Sequence, residues 1–102
     1  MNALAYKNAR QTIFSDYTKE ERVDIANHGC ASGCASTFIM TSDCLEFFTE
    51  HQEEIEDYLH DYFEGQDTCY LAYFGKHSND IDNMKVNMVW AFVEGVCNED
   101  LN

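Results

Sequence analysis

Apolar residues recur at three- and four-residue intervals along most of this chain, the period of a helix that buries one face. The clearest case is the last segment. Ile81, Met84, Met88, Val89, Phe92, Val93 and Val96 keep helical spacing there, and Asp80 stands in front as a cap. Near the start, good helix formers over residues 3–14 place Tyr6, Ala9 and Ile13 on one side until Ser15-Asp16-Tyr17 interrupts. Thr18-Lys19-Glu20-Glu21 reads as a capping box, with Thr18 at the cap and Glu21 reaching back. The short helix behind it carries Val23 and Ile25 and is expected to stop near Asn27, with Gly29 free to take a positive φ.

Between these ends lies a long amphipathic segment, capped by Ser42 or Asp43. At about 100° per residue, Glu46, Glu50, Glu53, Glu54, Asp57, Asp61 and Glu64 fall in a sector of roughly 100°. Cys44, Phe48, Ile55, Tyr58, Leu59 and Tyr62 fall opposite. Thr49-Glu50-His51-Gln52 resembles an internal cap, so a kink can divide this segment into two helices. The apolar piece Cys69–Phe74, with Asp67-Thr68 before it and Gly75 after it, is short enough for helix or strand. No second strand is available to pair with it, and helix is expected. The fold these patterns predict is all-α: one compact domain over residues 1–102, a bundle of five or six helices with the last at its centre.

One stretch departs from the pattern. Gly29-Cys30-Ala31-Ser32 is followed by Gly33-Cys34-Ala35-Ser36, a four-residue repeat of small side chains. On a helix it stacks like on like, and Gly33 costs about 1 kcal/mol against Ala unless a neighbouring backbone comes close. A close helix or subunit contact is the expected role.

Charge sharpens the picture. The net charge of −13 lies wholly in residues 43–102, where 15 acids face only Lys76 and Lys85. Such a field repels nucleic acid and anionic membrane and attracts basic proteins or cations. Hydrophobic residues at 45% and aromatics at 14% are too abundant for a disordered acidic tail. The first residues lack the apolar core of a signal peptide, and no run approaches the ~18–20 apolar residues of a membrane span. Five cysteines, an odd number, then suggest reduced thiols in a cytosol.

Two constellations invite chemistry. His28, Cys30 and Cys34 are metal-ligand types within one turn or two, and Cys44 or His51 would complete a tetrahedral zinc site. No second close pair of Cys or His follows, and cysteine among Ala, Gly and Ser also packs as a small hydrophobe. Cys30 beside His28 is a poor nucleophile pair, because no hydrolase signature surrounds it. No enzyme activity and no cofactor are expected.

The acidic sector is the stronger signal. It holds no Lys or Arg, and its like charges at four-residue spacing each cost a few tenths of a kcal/mol. If straight, Glu46 to Glu64 spans about 27 Å. Seven carboxylates over that length is one per ~4 Å, near the 3.4 Å per phosphate of a DNA strand.

The run His28-Gly29-Cys30-Ala31-Ser32-Gly33-Cys34-Ala35-Ser36, followed by Thr41-Ser42-Asp43 and the acidic stretch, resembles a group of small acidic proteins of tailed bacteriophages. The likeness covers roughly Glu21 to Leu59, with a weaker match over the last helix. It brings no site residues with it. It implies a phage setting, in which small acidic proteins inhibit host defence complexes of the CRISPR or restriction type. The function expected is therefore inhibition of such a complex: the acidic helix would bind a basic nucleic-acid-binding surface of a host protein. The alternatives are a small metal-binding regulatory domain using His28, Cys30 and Cys34, and a structural interaction subunit, for instance a homodimer.

Overall fold

A computed structural model describes residues 6–29 and 41–101. Among these residues every regular element is a helix: α1 (Lys7–Asp16), α2 (Lys19–His28), α3 (Thr41–Phe63), α4 (Tyr70–Lys76) and α5 (Ile81–Leu101). The small-residue run from Cys30 to Ser36, where a close contact is expected, lies outside the described residues.

The local signals act largely as the sequence predicts. Thr18 accepts from the Glu21 N–H at 3.2 Å, and the Glu21 carboxylate takes the Thr18 N–H at 2.8 Å, which closes the capping box. Asp80 Oδ1 accepts from the Asn83 N–H at 2.8 Å and starts α5. Gly29 ends α2 with φ 54°. Other boundaries shift. α1 begins at Lys7 and runs through Ser15 to Asp16, and α3 begins at Thr41, so that Ser42 and Asp43 sit inside its first turn. α4 starts after Cys69 rather than after Thr68, and Gly75 lies inside it.

α3 bends at His51, whose φ −126° and ψ 24° are not helical. Two contacts explain the site of the bend. The Thr49 hydroxyl donates back to the Leu45 carbonyl at 2.9 Å, a bond that tends to open a helix on one side. The His51 ring turns inward, 4.7 Å from the Phe47 ring and 3.3 Å from the Thr12 hydroxyl. Burial follows the apolar side on both halves of the helix, with one exception. Cys44, Phe47 and Phe48 face the core before the bend, Ile55 and Leu59 after it, while Tyr62 is 62% exposed although the single wheel puts it on the apolar side.

α5 is the central element and packs against α2, α3 and α4. From Met88 to Cys97 it is buried nearly all round, Trp90 and Cys97 included, as a helix enclosed by others must be. Ile81, at its first turn, is left exposed. Phe92 sits at the crossing, with the rings of Tyr6, Phe47 and Tyr58 within 5.3–6.3 Å. The radius of gyration, 12.9 Å, is about that of a compact chain of this length.

Candidate functional site

The acidic residues of α3 do not form one free stripe. Glu46, Glu50, Glu53 and Asp57 are exposed, the first two before the bend and the others after it. Glu54 is half-buried and accepts the Ala9 N–H at 3.4 Å. That amide is in the first turn of α1, whose own cap residue, Tyr6, makes no side-chain cap bond. A carboxylate from α3 thus meets the positive end of α1, where unpaired N–H groups gather. Asp61, about two turns further along α3, accepts the Tyr6 hydroxyl at 2.8 Å and holds the same helix at its cap residue. Glu64 lies beyond the end of α3 and is exposed. The bend also removes the straight 27 Å ruler that the spacing argument assumed.

Within the described residues, the basic side chains within 4.0 Å of the seven acids are two histidines: His51 lies 3.8 Å from Glu50 and 4.0 Å from Glu54, and His60 lies 3.9 Å from Asp61. After the bend, Gln52, Glu53, Glu56 and Asp57 line a shallow depression of about 330 Å³. Glu56, which the helical wheel leaves out of the stripe, takes the Tyr70 hydroxyl at 3.4 Å and links α3 to α4. The Tyr6 hydroxyl is held well above its ordinary pKa, first by burial and then by its bond to Asp61 and that residue's charge. Tyr70 is raised in the same way by burial and by Glu56.

A second feature escapes the sequence. α3, α4 and α5 enclose a cleft of about 400 Å³ lined by Tyr58, Tyr62, Phe63, Tyr73 and Phe74, with Gly95 also in its lining. The signal was there in the aromatic richness of residues 58–74, but six aromatics at helical spacing look the same whether they fill a core or line a groove. The Tyr58 hydroxyl stands so close over Gly95 that a Cβ there would run into it. Burial, followed by the charge of Glu99 and then by Tyr62, pushes its pKa up to about 12.

The Cys/His cluster is only partly in view. His28 is exposed at the end of α2, with Nδ1 3.0 Å from Asp24, and Cys30 and Cys34 lie outside the described residues. Among the described residues no three His, Cys, Asp or Glu are grouped to hold a metal ion. Cys44 and Cys97 are core residues, and burial with the nearby Asp43 charge pushes the Cys44 thiol up to about 11. Cys69 is exposed. No helix among the described residues is long and apolar enough to cross a membrane.

No curated protein and no solved structure matches the chain significantly. A family model does, over residues 4–102, nearly the whole sequence. The chain belongs to that family, described as a domain of unknown function, DUF7222.

Proposed function

We propose that this protein is a phage-type inhibitor that binds a basic, nucleic-acid-binding surface of a host defence complex of the CRISPR or restriction type. The observation that carries the reading is the exposed row Glu46, Glu50, Glu53 and Asp57 on α3. Two of these carboxylates stand before the bend in α3 and two after it, in a chain of net charge −13, without the alternating Lys and Arg that ordinarily accompany a solvated helix. Among the described residues Glu46, Glu53 and Asp57 make no hydrogen bond or ion pair and Glu50 approaches the adjacent His51 at 3.8 Å, whereas Glu54 and Asp61 hold α1. A face of this kind meets a positively charged groove quickly at low salt and loses it as salt screens the field. The same charge disfavours direct contact with nucleic acid or with an anionic membrane.

The test replaces Glu50→Gln, Glu53→Gln and Asp57→Asn together and leaves Glu54 and Asp61 in place. Melting temperature should hold or rise slightly, because like-charge repulsion is removed. Salt-sensitive capture of a basic host complex, and its inhibition, should be lost. Full inhibition by this variant at an unchanged melt would show that the row is only a solvated face.

A further inference from the structure

We propose that the aromatic cleft between α3, α4 and α5 receives an arginine side chain of the basic partner. The inference rests on the reading that the partner is basic, and it adds where that partner is gripped. Three observations converge on the cleft. Its walls are aromatic rings: Tyr58 and Tyr62 stack with centroids 6.2 Å apart, and Phe63 lies 5.4 Å from Tyr62 and 5.2 Å from Tyr73. Two of those rings are open to solvent, Tyr62 at 62% and Tyr73 at 42% exposure, although burial would be favourable for both. The volume, about 400 Å³, lies within the range of small-ligand pockets.

Charge decides what fits. Glu94 lines the α5 wall in a chain of net charge −13, and the charge of Glu99, which is paired with Arg10 at 3.2 Å, also reaches the Tyr58 hydroxyl. A second copy of this chain would bring another −13 to the same place, and a phosphate or carboxylate would be repelled. A cation gains from the field and from the negative faces of the rings together. Arginine suits better than lysine: its guanidinium is flat, weakly hydrated and stacks on aromatic faces. The protein already uses this chemistry internally. The Arg22 guanidinium stands 4.5 Å from the centroid of Phe14, and the Lys85 ammonium 5.4 Å from that of Phe48.

The experiment is a titration of the whole isotope-labelled protein with a glycine–serine peptide carrying arginine. Matched peptides carrying lysine or the neutral isostere citrulline, and tetramethylammonium chloride, are the comparisons. The arginine peptide should bind most tightly and move the resonances of Tyr62, Phe63 and Tyr73. Tyr62→Ala and Tyr73→Ala should each weaken it by roughly two- to fivefold. Tyr62→Phe, which keeps the ring, should retain binding. Both tyrosines are exposed, so circular dichroism should show an unchanged fold.

Equal binding of arginine and citrulline peptides, shifts confined to the acidic row, or no effect of Tyr62→Ala would overturn the proposal. Tighter binding of tetramethylammonium would also do so, by marking a small-cation site instead. The two proposals fail separately. Arginine-specific shifts in the cleft, with full inhibition by the Glu50/Glu53/Asp57 variant, would leave the cleft and remove the row. Lost inhibition in that variant, with no arginine effect in the cleft, would do the reverse.

Discussion

Gly95→Ala offers the sharpest test of how the bundle is packed. In an ordinary exposed helix this change is favourable by about 1 kcal/mol, because alanine loses less backbone freedom. Here the new methyl would overlap the Tyr58 hydroxyl and lie 2.6 Å from Cζ. The hydroxyl cannot simply swing aside, since the ring is wedged edge-on against Tyr6 and Phe92 at 5.7 and 5.3 Å. Forcing it out should cost about 1–3 kcal/mol, typical of overpacking. The net effect is a destabilisation of up to about 2 kcal/mol, and each kcal/mol lowers the melting temperature of a domain this size by about 4–8 °C. Urea denaturation of four proteins would measure it: the parent, Gly95→Ala, Tyr58→Ala and the double variant. With the ring gone, Gly95→Ala should change sign and become stabilising, giving a coupling of about 1–3 kcal/mol. If Gly95→Ala raises stability with Tyr58 intact, α3 and α5 do not approach as described.

The remaining predictions concern the core, a helix end and the alkaline limit. Phe92→Asp places an unpaired charge among three aromatic rings and should cost several kcal/mol, enough to abolish a cooperative urea transition. Thr18→Ala removes one half of the capping box and should cost about 1 kcal/mol by the same assay. The Tyr58 hydroxyl titrates near 10 when unfolded and near 12 when folded, so the unfolded chain loses its proton first as pH rises. The stability it contributes is complete below about pH 10 and is lost on the way up through pH 12; Tyr58→Phe should flatten that part of the curve.

Most of the architecture can be read from local chemistry. The capping box at Thr18 and Glu21 and the Asp80 cap are formed by residues three apart in the chain, so their geometry needs no distant partner. The apolar period of residues 84–96 likewise requires a buried helix wherever the rest of the chain lies. The acidic side of residues 43–64 is legible on the same grounds, and so is the turn at Thr49–Gln52, where a threonine able to bond back to Leu45 precedes the bend.

What tertiary structure alone decided is how those faces are spent. Seven acids at helical spacing look equivalent in sequence, yet Glu54 and Asp61 are drawn onto α1 because the unpaired N–H groups and the Tyr6 hydroxyl arrive there from some 45 and 55 residues away in the chain. α3 bends at His51, and Tyr62 is left in solvent although a single helical wheel puts it on the apolar side. The aromatic cleft exists only because α4 folds back beside the ends of α3 and α5. Sequence sets what each residue can do with its near neighbours; which carboxylates and rings remain open to a partner depends on long-range packing, which no local period records.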